Sequence, residues 1–201
     1  MDGTLVDSRA AVERVWKKWA MRNDLDLAAI LEVSHGRRAI DTVREFSTKT
    51  MDIRIEAAWL ANEEITDLEG IVAVPGAAQL LGRLNPNDWA VVTSADRVLA
   101  SKRLTAAGLP IPQALITAED VQLGKPNPEG YELAAARLGT APDQCIVFED
   151  APAGIEAGIN AGCDVVAISA ARPHEFEEMC PTVHDFGALS FHLNGTEISQ
   201  L

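Results

Sequence analysis

The sequence predicts an α/β fold in which a doubly wound parallel-sheet core carries an all-helical insertion near its N-terminus. Three observations predict it. Apolar residues recur at helix spacing from about residue 9 to residue 69, Val74-Pro75-Gly76 then breaks the chain, and beyond it short apolar runs alternate with amphipathic stretches of helix length. A chain of 201 residues with 47% hydrophobic content can bury one core, or one core with a small appendage.

Within the first block, Val12, Val15, Trp16 and Trp19 share a helix stripe, as do Ile40, Val43 and Phe46, then Ile55, Trp59 and Ile65. The tryptophans on these stripes read as interior residues rather than stacking platforms. After the break, the apolar runs Trp89 to Val92, Ala114 to Ile116, Ile146 to Phe148 and Val165 to Ile168 read as strands. Helices are expected between them at Arg97 to Ala107, Pro128 to Leu138 and Ala151 to Ala161. Strand, helix, strand in repetition gives a parallel sheet with helices on its faces. Gly154, Gly158 and Gly162 fall on every fourth residue and suit a helix packed closely on that sheet. From about Gly187 the pattern is weak.

The balance of charge excludes some partners. With 30 acidic against 17 basic residues the formal net charge is −13, which opposes binding to nucleic acid or to an anionic membrane surface. No apolar run is long enough to cross a bilayer, and Met1-Asp2-Gly3-Thr4 lacks the basic and apolar regions of a leader, so a cytoplasmic location is expected. Cys145, Cys163 and Cys180 are widely spaced and imply neither a disulfide framework nor a zinc site. His174, His184 and His192 show no metal-ligand spacing.

Loops leaving the C-terminal ends of parallel strands gather at one edge of the sheet, where ligands bind. Thr93-Ser94, Gly124-Lys125-Pro126 and Glu149-Asp150 are all expected there. Taken singly they have plain explanations: Ser94 or Asp96 can cap the following helix, and Lys125 can be an exposed loop residue. Adjacent acids at a strand end repel each other unless a cation joins them. A hydroxyl, a lysine and paired acids, in that order and following Asp2-Gly3-Thr4-Leu5-Val6-Asp7-Ser8, form a specific set.

That set resembles the motifs of the haloacid dehalogenase superfamily of phosphatases: Asp-x-Asp-Gly-Thr-Leu/Val, a strand ending in Thr or Ser, a Lys, and paired acids after a strand. The match covers essentially the full chain. The resemblance implies a Rossmann-like core of residues 1–8 and 74–201 with a helical cap of residues 9–73, acting on a small phosphorylated sugar or polyol as a monomer. It implies that Asp2 is the general acid and base, that Thr93, the Ser94 backbone N–H and Lys125 bind the phosphoryl oxygens, and that Gly3 makes the tight turn beside them. Mg²⁺ would be held by Glu149, Asp150 and the backbone carbonyl of Asp2. In the cap, Ser34-His35-Gly36-Arg37-Arg38 is similar to the His-Gly-x-Arg segment of 2-deoxyglucose-6-phosphate and glycerol-3-phosphate phosphatases, which nominates His35 and Arg38 for the substrate. A solvated basic helix start, with Asp41 and Glu45 pairing locally at helical spacing, is the plain alternative.

One element of the pattern falls outside the sequence. The attacking aspartate of the family lies two residues before the acid and base, upstream of Met1, at the end of a central apolar strand. Two explanations compete, a start assigned too late and a real loss of the nucleophile, and the family's apolar-Phe-Asp-Met-Asp-Gly-Thr run, in which Met1 would be the internal methionine, favours the first. Two other functions share the motifs: a non-catalytic sugar-phosphate-binding or regulatory protein, and a phosphosugar mutase related to β-phosphoglucomutase.

Overall fold

The computed structural model describes residues 1–170, 176, 178–192 and 197–200. The helix-spaced apolar residues of the first block form α1 (Arg9–Asn23), α2 (Leu27–Ser34), α3 (Ala39–Phe46) and α4 (Ile53–Thr66). Local chemistry sets the breaks between them. Asp24 closes α1 in the left-handed conformation at φ 55°, and Asp26 and Asp52 then cap α2 and α4 by accepting backbone N–H groups of the first turn.

These helices enclose a core of their own, made of Val15, Trp16, Trp19, Ala20, Ile30, Val43 and Leu60. Trp19 is fully buried, lies 5.5 Å centroid to centroid from Trp16 in an edge-on contact, and donates its indole N–H to Glu56 Oε2 at 2.8 Å. The chain leaves for the helical block and returns from it at adjacent points. There β1 (Val6–Asp7) pairs antiparallel with β2 (Val72–Ala73), Val6 opposite Ala73.

The second rhythm forms α5 (Ala77–Leu81), β3 (Ala90–Val92), α6 (Arg97–Ala106), β4 (Ala114–Ile116), α7 (Glu129–Leu138), β5 (Ile146–Glu149), α8 (Pro152–Asn160), β6 (Asp164–Ile168) and β7 (Thr182–Val183). The alternation expected of strands covered on both faces is realised in β5 and β6. Val166, Ile168, Ile146 and Phe148 pack into one core with Val91, Leu104 and Leu115, while Val147, Val165 and Ala167 pack into another with Tyr131, Ile155 and Phe176. Gly158 permits the close approach of α8 foreseen from its spacing, since a Cβ there would lie 2.9 Å from the Val165 side chain.

The parallel strands of the expected α/β core fall into two blocks, β3-β4 and β5-β6-β7, which share the first core. Among the described residues no strand pairs with β3 or β5 on the sides facing each other. A cavity of about 590 Å³ lies there instead, lined by Met1, Trp89, Val91, Val92, Val147 and Phe148 among others. The weakly patterned C-terminal stretch contains an antiparallel pair, β8 (Leu189–His192) and β9 (Glu197–Gln200). His174 and the side chain of His192 lie outside the described residues, and His184 is exposed beside Asp185.

Candidate active site

The polar signals of the sequence converge because the parallel strands end together. Thr93 and Ser94 follow β3, Glu149 closes β5 with Asp150 behind it, and the loop between β4 and α7 brings Lys125 back. Asp2, Gly3, Thr93, Ser94, Lys125, Glu149 and Asp150 all line one cavity of about 120 Å³, which also reaches Trp16, Ser34, His35, Gly36 and Arg37 of the helical block. Asp96, not Ser94, caps α6, accepting from the Leu99 N–H at 2.8 Å. Ser94 instead donates its hydroxyl to the Gly36 carbonyl at 2.8 Å, tying the sheet edge to the loop after α2.

The paired acids have separate roles. Glu149 turns inward, forms an ion pair with Lys125, and accepts the Tyr131 hydroxyl at 2.6 Å. Burial would raise the Glu149 pKa, but the charge of Lys125 and the hydrogen bonds from Lys125 and Tyr131 outweigh it and hold the carboxyl well below its ordinary range. The same burial and the Glu149 charge push the Tyr131 phenol well up, so it stays a donor. Asp150 is raised, first by burial and then by the Glu149 charge. It accepts the Thr4 hydroxyl at 2.8 Å and presses on Gly3, where an added Cβ would lie 1.7 Å from its Oδ2. Gly3, at φ 73°, is therefore required twice, by conformation and by contact.

Asp2 accepts the Ser8 hydroxyl at 2.6 Å and the Arg103 guanidinium at 3.0 Å, both on Oδ1. The other arm of Arg103 donates to Glu64 Oε1 at 3.0 Å. Arg103 is 3% exposed and comes from α6, and Glu64 comes from α4, so the pair spans the two parts of the molecule. Burial raises the Glu64 pKa against the pull of Arg103. Sequence reasoning missed both residues, along with Tyr131 and Ser34. A signal for Arg103 was present, since it interrupts the buried stripe Leu99, Ala100, Leu104 of its helix.

Of the residues expected to hold Mg²⁺, the Asp2 side chain points to Ser8 and Arg103, Glu149 points to Lys125 and Tyr131, and Asp150 accepts the Thr4 hydroxyl; no group of three or more His, Cys, Asp or Glu side chains that could hold a metal ion occurs among the described residues. Glu149 is the counterion of Lys125, because a buried lysine is costly without one. Of the two cap arginines, Arg38 lies beside this cavity, in the lining of a neighbouring one that also includes Thr93, Ser94 and Lys125. It is held by Asp41 at 2.7 Å and by the Gln122 carbonyl at 3.2 Å, whereas Arg37, paired with Glu45 at 2.8 Å, lines the main one. His35 lines it too, with Nδ1 2.9 Å from the Leu31 carbonyl.

The chain is similar to known proteins in sequence and in fold. Residues 1–162 match the model of the haloacid dehalogenase-like hydrolases. The chain is 47% identical over 174 residues to hexitol phosphatase A of Escherichia coli (strain K12), covering 85% of this chain and 81% of the relative. It is 34% identical over 180 residues to glycerol-1-phosphate phosphohydrolase 2 of Saccharomyces cerevisiae, covering 84% and 72%. In fold it resembles the crystal structure of β-phosphoglucomutase from Clostridium difficile, with a TM-score of 0.79 at 21% identity over 94% of this chain and 90% of that one.

Proposed function

Because this chain belongs to the haloacid dehalogenase-like hydrolase family, we propose that it is a phosphomonoesterase for small sugar or polyol phosphates, working with Mg²⁺ through an aspartyl-phosphate. The observation that carries the reading is the convergence of Thr93, Ser94, Lys125, Asp2 and Asp150 on one cavity at the C-terminal edge of the parallel strands. The names of the relatives, a hexitol phosphatase and a glycerol-1-phosphate phosphohydrolase, support the substrate class.

In this reading Lys125 and the Thr93 hydroxyl, with the Ser94 backbone N–H, receive the phosphoryl oxygens and offset the repulsion between an anionic ester and a carboxylate nucleophile. Asp2 donates its proton to the leaving alcohol and later takes one from the hydrolytic water. Arg103 and Ser8 hold its carboxyl in place. Asp150 fits a hard divalent cation, because burial and the neighbouring Glu149 both penalise its charge and a cation relieves both. Mg²⁺ would be held there and by the Asp2 backbone carbonyl, with Glu149 behind, and would supply charge stabilisation for phosphoryl transfer. Residues 9–73 would act as the cap that excludes water.

In this reading the attacking carboxylate lies two residues before Asp2. Supporting this, the cavity of about 590 Å³ between β3 and β5 has Met1 among its lining residues and is walled by the apolar side chains of both strands. An extended apolar segment entering there would pair with both edges and end at the active site.

Phosphate release from glucitol 6-phosphate, 2-deoxyglucose 6-phosphate and glycerol phosphate, with Mg²⁺ and with EDTA, tests the proposal on the chain as given and on a version extended upstream by an apolar strand ending in Asp. We expect Mg²⁺-dependent release from the extended protein, reduced roughly 10²- to 10⁴-fold by Asp2→Asn. Tight binding without turnover in the extended protein would sink the phosphatase reading, and isomerised sugar phosphate in place of free phosphate would replace it with a mutase.

A further inference from the structure

Two buried polar atoms in the wall of the active-site cavity lack a partner. Among the described residues, Ser34 Oγ and Arg103 Nε are shielded from solvent without a hydrogen bond. Ser34 is 8% exposed and Arg103 3%, and both residues line the cavity. Buried donors and acceptors are ordinarily satisfied, so an orphan in a cavity wall marks a place where something else makes the bond.

Their surroundings define what that is. Ser34 ends α2, Arg103 lies on α6, and Glu64 on α4 lines the same cavity with one carboxylate oxygen on Arg103. A hydroxyl, an N–H donor and a carboxylate together suit sugar or polyol hydroxyls, which donate and accept at once. A second phosphate would meet the Glu64 carboxylate and be repelled. Val12, Trp16 and Leu99, also in the lining, offer apolar contact to C–H groups. None of these residues belongs to the set assigned to the phosphoryl group.

We infer that Ser34, with Glu64 and Arg103, forms a hydroxyl-reading subsite that selects polyhydroxylated monophosphates by the part of the substrate remote from phosphorus. The inference rests on the phosphatase reading for the identity of the phosphorylated end. It has an internal control, since Thr42 Oγ1 is likewise buried without a partner but does not line the cavity.

Calorimetric titration of glucitol 6-phosphate and of inorganic phosphate onto the upstream-extended protein and its Ser34→Ala and Thr42→Val variants, with Mg²⁺ present, tests it. Removing an unsatisfied hydroxyl leaves the melting temperature unchanged or higher in both variants. Ser34→Ala alone is expected to weaken glucitol 6-phosphate roughly five- to tenfold while leaving inorganic phosphate unaltered. Glu64→Gln is expected to narrow the preference for glucitol 6-phosphate over a hexose bisphosphate. An unchanged ratio in Ser34→Ala, or an equal loss for both ligands, overturns the subsite alone. Failure of the extended protein to bind either ligand overturns the phosphatase reading, and the subsite with it.

Discussion

Glu149 shows how much of the site hangs on one side chain. It is buried, takes charge from Lys125 and a hydrogen bond from Tyr131, and is covered by α8 at Gly154, where an added Cβ would lie 2.2 Å from its carboxyl carbon. Helix propensity favours alanine over glycine by about 1 kcal/mol, but here the methyl group would displace a paired carboxylate from a site with no spare room. Gly154→Ala is therefore expected to destabilise the protein by about 1–3 kcal/mol, read from a denaturant midpoint. Tyr131→Phe, which removes one bond to a charged acceptor, is expected to cost about 1.5–3 kcal/mol in the same measurement. The sequence placed Glu149 correctly at the end of a strand but not in its pairing. Period-2 alternation says which face a residue takes, and only the packed α7 and α8 say what it meets there.

Between elements, Asp120 joins three parts of the core. Its carboxylate accepts the Thr117 N–H and hydroxyl at 2.8 Å each, Arg97 of α6 at 2.6 Å and Arg137 of α7 at 3.0 Å. Burial would raise its pKa, but these bonds outweigh burial and lower it to about 2. A carboxyl depressed in the folded state stabilises at pH values above its ordinary pKa of about 4, and that contribution is lost as pH falls toward 2. Asp120→Asn is accordingly expected to be less stable at pH 7 by about 1–2 kcal/mol, with the gap to wild type closing between about pH 4 and pH 2 in pH-dependent thermal unfolding. The helices α1, α3, α4, α6, α7 and α8 and the strands β3 to β6 were legible because each obeys a local period. The conformation of the loop that Asp120 occupies was not, because loop conformation follows from partners far away in sequence, such as Arg137.

For the whole molecule, the excess of acidic residues sets a field that individual ion pairs do not cancel. A net charge of −13 on 201 residues repels itself in the compact state. Raising NaCl from about 20 to 200 mM shortens the screening length from roughly 20 Å to below 10 Å, and the melting temperature is expected to rise by a few degrees. A fall would mean that ion pairs such as Arg14–Asp67 and Lys18–Glu63 outweigh the repulsion. The same scale separates what was readable from what was not. By itself the sequence determined the order of strands and helices, the helical insertion, and the presence of Thr93, Ser94, Lys125, Glu149 and Asp150 at one edge, because hydrophobic periodicity and strand ends are properties of a few neighbouring residues. Only the tertiary structure decided that Arg37 rather than Arg38 faces the cavity, that the strands form two blocks, and that Arg103 reaches Asp2 across 101 positions of chain. A side chain's direction and partners are set by which distant surfaces bury it together, and that desolvation is shared between residues no local pattern connects.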